Sequence, residues 1–298
     1  MVKAPTLTNW FHLIILGIVW GGTFLIATIA LRGYGPITVA CARTTLGAVS
    51  LLVLMRFVNA PWPTKDAWPI LIRMGAFSTA FPFMLLSWGL LHVNSSFAGV
   101  TMAAVPLFIL PLAHLFSDDP LTLRRGIGVS LGFAGIVVLI GPSALNLESG
   151  IALLGQFACL GAAMCYAISS IQTRNCPPVD PIAMSAVSLV VGSMILIPLM
   201  LAVEGVPTWK GSEAVLAIVF LGLVPTAFAT LLRVVIIRSA GSVFMTLVNF
   251  MVPLWSVLLG AVILLEPIPE TMFAGTALIL GGMRISQFNR IIGIFRRS

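Results

Sequence analysis

DPLTLRRGIG, at Asp119–Gly128, has a near twin later in the chain in EPIPETMFAG, at Glu266–Gly275. The acid, the proline and the closing glycine recur at matched positions, 147 residues apart. The first copy carries Arg124 and Arg125, whereas the second copy has threonine and methionine in their place. A repeat that loses only its positive charge indicates two copies in different electrostatic surroundings.

The composition excludes a water-soluble protein. Of 298 residues, 59% are hydrophobic and 8% are charged, with a mean hydropathy of +1.10. Soluble domains carry about 25% charged residues. The net charge of +7 does not indicate nucleic-acid binding, because the basic residues form no patch with interleaved aromatics. The four cysteines show neither zinc nor disulfide spacing, so we expect no metal. We also expect no cofactor and no nucleic-acid partner.

Ten apolar stretches are long enough to cross a bilayer, which takes about 20 residues. Short connections rich in glycine, proline and acids separate most of them, so no soluble domain is inserted. The predicted spans, numbered 1 to 10, are 10–31, 36–57, 67–90, 94–116, 124–141, 150–172, 180–203, 213–236, 241–264 and 270–289.

The repeat extends over whole five-span units. Gly75 matches Gly222 and Pro106 matches Pro253 at the offset of 147, and earlier matches fall at offsets of 144 and 145. The chain therefore divides into units 10–141 and 150–289, with a short basic tail at 290–298. Five is odd, so the second unit starts on the opposite side of the membrane. We predict an all-α integral membrane protein of two inverted five-helix repeats around a central cavity.

The inverted arrangement explains the lost arginines. Cytoplasmic loops collect Lys and Arg. If the N-terminus is cytoplasmic, ten basic residues lie in inner tails and loops, and only Arg32 and Lys210 lie in outer loops. The sequence therefore predicts a multi-pass protein of the bacterial cytoplasmic (inner) membrane with both termini in the cytoplasm.

Inverted repeats are typical of secondary transporters, which bind substrate near the midplane between the repeats. In spans 4 and 9, polar and small residues recur at i, i+4, i+7 and i+11, which is one helical face. Pro106 and Pro253 end these faces and predict helix breaks or hinges. Asn249 either lines the cavity or bonds a neighbouring helix. The predicted lining residues of these spans are Ser95, Gly99, Met102, Ser242, Met245, Thr246 and Asn249.

Aromatic and hydroxyl residues of other spans complete the predicted substrate surface. Trp20 in span 1 and Tyr166 in span 6 lie deep in their spans near matched repeat positions. Phe81 and the matched Thr79 and Thr226 come from spans 3 and 8. Aromatic residues also pack bundle cores and sit at lipid interfaces, and that alternative stays open.

Arg43 is the one basic residue at real depth, about 10 Å below the outer end of span 2 at 1.5 Å per residue. It either holds a substrate carboxylate or has a structural role by snorkelling or capping carbonyls. All nine Asp and Glu residues fall in or beside loops. No buried acid is available as a proton relay, which favours facilitated movement of substrate.

These features also weigh against other functions. An intramembrane enzyme needs a catalytic set at depth, and the buried polar residues are isolated, so we expect no catalytic residues and no enzyme. No GxxxxGK[ST] loop for ATP-driven pumping is present. An organophosphate or nucleotide-sugar antiporter is the alternative transporter, although it calls for several buried cations.

The two segments DPLTLRRGIGVSLGFAGIVVL and EPIPETMFAGTALILGGMRI, the first-span IVWGGTFLIA, Arg43 and the Pro106/Pro253 pair resemble the EamA family of the drug/metabolite transporter superfamily. Within that family they are similar to the YddG-type aromatic amino-acid exporter group. The resemblance implies a 5+5 inverted fold, a central cavity and alternating-access export of amino acids or related amphipathic metabolites through the lipid bilayer. It leaves open whether the protein is a monomer or a homodimer.

Overall fold

The computed structural model describes residues 5–116, 122–140 and 150–295, except for the side chains of residues 238, 242, 243 and 287–295. Within these ranges every regular element is helical. The first unit contains Leu7–Leu31 (span 1), Pro36–Phe57 (span 2), Trp68–Met74 with Phe81–Gly89 (span 3), Ser95–Met102 with Val105–Phe116 (span 4) and Leu123–Ile140 (span 5). The second contains Gly150–Arg174 (span 6), Pro181–Val203 (span 7), Ser212–Leu221 with Ala229–Ala240 (span 8), Ser242–Met245 with Val248–Ile263 (span 9) and Glu270–Phe295 (span 10).

The predicted all-α membrane architecture is confirmed. Spans 1 to 8 are each long and apolar enough to cross a bilayer, and Val248–Ile263 of span 9 is a shorter apolar helix. Large apolar side chains point outward from the bundle, as with Val137 at 70% exposure and Leu216 at 66%. A water-facing surface would carry charge at such positions, whereas lipid accepts them without cost.

Equivalent helices of the two units run antiparallel. The Glu204 carboxylate, at the end of span 7, accepts hydrogen bonds from the backbone N–H groups of Ile37 and Thr38, at the start of span 2. Spans 2 and 7 occupy matched places in their units, so their opposite directions require inverted units. We call the end of the bundle that holds residues 32–35 and 204–211 the outer end, and the opposite end the inner end.

Spans 5 and 10 show the same antiparallel pairing through their glycines. A Cβ on Gly128 would lie 2.6 Å from the carbonyl oxygen of Gly282, and a Cβ on Gly135 would lie 2.8 Å from that of Gly275. Small residues let membrane helices approach this closely and pack backbone against backbone. The two glycine-rich spans therefore clamp the ends of the two units together within one chain.

The first span of each unit packs against helices of the other unit. Span 1 packs against spans 8 and 9 of the second unit, and span 6 packs against spans 3 and 4 of the first. The largest cluster of buried apolar side chains runs through these contacts and includes Leu13, Leu107, Ala163 and Phe244. The units interlock rather than lie side by side, which places their shared seam at the centre of the bundle.

Candidate substrate-binding site

Spans 3 and 8 each widen into a π-helical turn at matched positions, Gly75–Ala80 and Gly222–Phe228. Pro225 has no N–H to donate to the carbonyl of Leu221, and the Thr226 hydroxyl donates to that oxygen at 2.8 Å. Single π-turns inside helices occur frequently at functional sites. The two matched turns therefore indicate a functional site at this level of the bundle.

The two matched threonines dock against glycines of the facing unit. A Cβ on Gly47 of span 2 would lie 2.6 Å from the Thr226 methyl group. A Cβ on Gly192 of span 7 would collide with the Thr79 hydroxyl oxygen. Both threonines are buried, at 6% exposure for Thr79 and 5% for Thr226. Each fixes the contact between a π-turn and the facing helix.

Arg43 lies beside the π-turn of span 8. Its Nε donates to the Thr226 hydroxyl oxygen at 3.0 Å, and its Cζ lies 4.0 Å from the centre of the Phe83 ring. Tyr166 of span 6 is near enough to interact electrostatically with the guanidinium. A cation over an aromatic face is stabilised by about 2 kcal/mol when desolvated. Spans 2, 3, 6 and 8 thus converge on one charged group.

Trp20 joins span 1 to this group. Its indole Nε1 donates to the carbonyl oxygen of Pro225 at 3.3 Å, one residue from Thr226. The adjacent Gly21 lets span 9 approach, because a Cβ there would lie 2.5 Å from the Cβ of Trp255. The indole is half-buried, so it contributes both an apolar surface and a fixed dipole to the centre of the bundle.

The outer halves of spans 4 and 9 form a closed seam. The Ser256 hydroxyl donates to the Ser95 carbonyl oxygen at 3.0 Å, and a Cβ on Gly99 would collide with that hydroxyl. Farther out, Glu266 accepts from the N–H groups of Ser95 and Ser96 at 2.8 and 3.0 Å and from the Ser96 hydroxyl at 2.5 Å. Leu265, with φ +55°, turns the chain so that this carboxylate faces span 4.

The inner parts of the same two faces lie farther apart. Val105–Phe116 of span 4 and Ser242–Met245 of span 9 barely touch, whereas the outer helices pack closely. Asn249 lies two turns inward of Ser256 on the same face of span 9, half-buried, and its amide makes no hydrogen bond within the described residues. Met102, its repeat mate, is also half-buried. The seam is closed at the outer end and looser at the inner end.

The remaining predicted residues occupy varied places. Phe81 is 37% exposed and packs edge-on against Phe77, with ring centres 5.4 Å apart. Met245 is buried at 7% exposure, and Thr246, which has a bonding partner, lies at the break of span 9. The Ser242 side chain lies outside the described residues. Their part in a substrate surface stays a prediction.

The two prolines also differ in their settings. Pro106 is the second residue of the helix that follows the break of span 4 at residues 103–104, where its missing N–H costs no helical hydrogen bond. Pro253 lies inside the continuous helix Val248–Ile263, and the break of span 9 comes earlier, at residues 246–247. Both prolines are buried.

Sequence reasoning missed Ser256, the capping roles of Glu204 and Glu266, and the pairing of Phe83 with Arg43. A signal for the cap of span 2 was present, since Gly35 before Pro36 has no side chain with which to cap the helix. The cap of span 4 gave no signal, because Asn94 is a usual capping residue, although its side chain makes no capping bond. Phe83 carried no such signal, because its role depends on the direction of the Arg43 side chain. Ser256 is one apolar-span serine among several and is distinguished only by its contact with span 4.

Two grooves open on the surface of the bundle. One of about 570 Å³ is lined by residues of span 5, including Leu123 and Ile127. Another of about 350 Å³ lies between spans 2 and 8 and is lined by Phe57, Leu223 and Phe228. Both are lined mainly by apolar side chains that are exposed on the outside of the bundle, where lipid covers them.

Comparison with known proteins agrees with this architecture. A solved crystal structure superposes with a TM-score of 0.66 at 19% identity, covering 95% of this chain and 98% of the other. An uncharacterized transporter of Archaeoglobus fulgidus is 27% identical, over 93% of this chain and 98% of its own length. A probable terminal-alkyne amino-acid exporter of Streptantibioticus cattleyicolor is 24% identical, over 92% and 91%. An uncharacterized inner membrane transporter of Escherichia coli, YedA, is 25% identical, over 82% and 79%.

The profile of the EamA-like transporter family matches residues 9–141 and again residues 153–286. Together the two matches cover most of the chain. The protein is therefore a member of the EamA-like transporter family.

Proposed function

We propose that the protein exports small amphipathic metabolites, most of all aromatic or hydrophobic amino acids, by alternating access. The observation that carries this is the convergence of Arg43, Thr226, Phe83, Tyr166 and Trp20 at membrane depth, where the two units meet. One cation, hydroxyl groups and aromatic faces together suit a molecule with a carboxylate and an apolar side chain. The amino-acid exporter among the relatives is in keeping with this cargo.

The closed outer seam supports alternating access. Ser256 and Glu266 hold spans 4 and 9 together at the outer end, while their inner parts lie apart. Because the units are inverted copies, closing the inner parts and opening the outer ones would produce the mirrored form. Asn249 and Met102 would face the substrate in both forms, because they lie near the middle of the two spans.

The proposed setting is the bacterial cytoplasmic membrane, with both termini in the cytoplasm. The charge distribution supports this orientation, since Arg32 and Lys210 are the only Lys or Arg residues in the predicted outer loops. One relative is named an inner membrane transporter. The site has the composition of a binding surface rather than of a catalytic centre, so we infer no enzymatic activity.

The test is flux through purified protein in liposomes. Labelled amino acids, organic cations and sugar phosphates are offered separately, with and without an imposed pH gradient. We expect saturable flux of aromatic and large apolar amino acids above that of protein-free liposomes. Flux of sugar phosphates alone would reject amino-acid export and favour an organophosphate antiporter.

A further inference from the structure

We propose that Arg43 is the binding site for the substrate carboxylate, that Thr226 is the residue that positions it, and that the cargo carries a single carboxylate. This inference rests on the proposed function. It goes further by assigning one chemical group of the substrate to one side chain, and by excluding cargo with two anionic groups.

The guanidinium of Arg43 uses only one of its donors within the described residues. Nε donates to Thr226, and the two terminal nitrogens donate to no described atom. No described carboxylate lies within salt-bridge distance of it, whereas Arg32, at the outer end, pairs with Glu213. A charged group at membrane depth is costly unless it is paired. The two terminal nitrogens form the fork that binds a carboxylate with two parallel hydrogen bonds.

Thr226 holds this fork in a fixed direction. Its hydroxyl hydrogen is committed to the Leu221 carbonyl, to which Pro225 has no N–H to donate. Its oxygen therefore presents a lone pair to Arg43 Nε. Its methyl group is wedged against Gly47, so rotation would break both hydrogen bonds and the packing. Anchoring Nε turns the opposite edge of the guanidinium away from span 8.

The matched half of the site carries no charge. Ser188 stands at the repeat position of Arg43, at the offset of 145, and Thr79 stands at that of Thr226. The Thr79 hydroxyl lies 3.3 Å from the Ser188 carbonyl oxygen, and the Ser188 hydroxyl is buried with no partner among the described residues. Among these four matched positions, Arg43 is therefore the one that provides a cation. A second anionic group on the cargo would be desolvated without a counter-charge.

The apolar part of the cargo has surfaces within reach of this cation. Phe83 covers one face of the guanidinium, and Tyr166 is near enough to interact with it electrostatically. Trp20 is fixed to the same π-turn through Pro225. A carboxylate on Arg43 therefore leaves a ring or an alkyl chain among aromatic neighbours, where stacking and burial stabilise it.

The experiment measures KM and kcat in liposomes for phenylalanine and for phenylalaninamide, which keeps the ring and the amino group but lacks the carboxylate. In the wild-type protein we expect the amide to have a KM at least tenfold higher. Arg43→Gln should raise the KM for phenylalanine by about tenfold or more and remove the difference between the two compounds. Succinate and sugar phosphates should not compete with phenylalanine.

Thr226→Val should raise the KM for phenylalanine severalfold and leave the KM for the amide and both kcat values nearly unchanged. Thr226→Ser, which keeps the hydroxyl, should restore the wild-type KM. The control is Thr101→Val, which removes an equally buried hydroxyl that bonds only to Phe97 of its own helix. That variant should leave both KM values unchanged.

The outcomes separate the two levels of the proposal. If the wild-type protein carries no amino acid, both the proposed function and this inference are rejected. If it carries phenylalanine and its amide with equal KM, only the carboxylate site is rejected, whether or not the variants fold. If Arg43→Gln loses the discrimination but Thr226→Val matches Thr101→Val, Arg43 binds the carboxylate and the positioning role of Thr226 is rejected.

Discussion

The Glu266 carboxylate should control the closure of the outer seam. It receives three hydrogen bonds from Ser95 and Ser96, and so caps span 4 from the end of span 9. Each of these bonds exists only while the two outer halves lie together. Glu266→Ala removes the cap without altering a residue of the Arg43 site.

The magnitude follows from the bonds that are lost. Hydrogen bonds to charged groups contribute about 1.5–3 kcal/mol each. Glu266 is only half-buried, so water can replace part of what is lost. Loss of a helix N-cap costs about 0.5–2 kcal/mol. We take the upper end, about 2 kcal/mol, because two amides and a hydroxyl lose their acceptor together. That shifts the equilibrium between closed and open outer seams by about 30-fold, since 1.4 kcal/mol corresponds to tenfold.

Ser256→Cys reports the opening, in a protein whose four native cysteines have been replaced. Residue 256 is 2% exposed and lies under span 4. A membrane-impermeant thiol reagent added from outside should modify it about 30-fold faster in the Glu266→Ala background. Glu204→Ala is the matched control, because Glu204 caps span 2 through the N–H groups of Ile37 and Thr38 and the Thr38 hydroxyl at 2.6–2.9 Å.

Glu204→Ala should lower the melting temperature by a similar amount and leave the modification rate near its original value, because spans 2 and 7 do not form the central seam. Equal acceleration by both substitutions would show that modification reports general loosening, and would refute the assignment of closure to Glu266. Unchanged modification in Glu266→Ala would refute it as well.

Other predictions concern close contacts, cargo and energy coupling. Gly99→Ala should destabilise the closed seam by about 1–3 kcal/mol, because the added methyl group overpacks against Ser256. Ser256→Gly should remove this overpacking, so thermal melting should show the double variant to be less destabilised than Gly99→Ala alone. Gly135→Ala should lower the melting temperature, because its Cβ meets backbone of span 10, whereas Gly126→Ala, with no atom within 4 Å, should not. Asn249→Ala should change the order of preference among transported amino acids at unchanged yield, and reduced yield at unchanged preference would assign it to packing. Flux should not depend on an imposed pH gradient, and strict dependence would reject facilitated movement.

The sequence contained most of the topology because the topology follows from coarse physical patterns. Apolar length defined the spans, and the repeat with its odd number of spans required inversion. The structure agrees at the contact between Glu204 and the start of span 2, and at the antiparallel pairing of Gly128 with Gly282. Such features depend on lipid solvation and on chain direction, and both can be inferred from the order of apolar and polar segments in the sequence.

The site was less accessible because its contacts join residues far apart in the chain. Arg43 was recognised as a deep cation, but its anchoring by Thr226 depends on a π-turn that places a hydroxyl beside span 2. The identity of Phe83 as its stacking partner depends on a side-chain rotamer. Spacing along one helix predicts a face, whereas the partner of that face is decided by packing between helices.

The central claim is that one five-helix unit occurs twice with opposite orientations in the membrane. Arg124, near the start of span 5, donates to the carbonyl of Ile285, whereas Thr271 is the second residue of span 10, at the other end of that helix. The direct measurement is labelling of Arg125→Cys and Thr271→Cys in intact cells, in a protein without its native cysteines, by an impermeant thiol reagent. We expect Thr271→Cys to react from outside and Arg125→Cys to react only after the cytoplasmic face is exposed. Reaction of both from the same side would contradict the inverted repeat and the transport mechanism built on it.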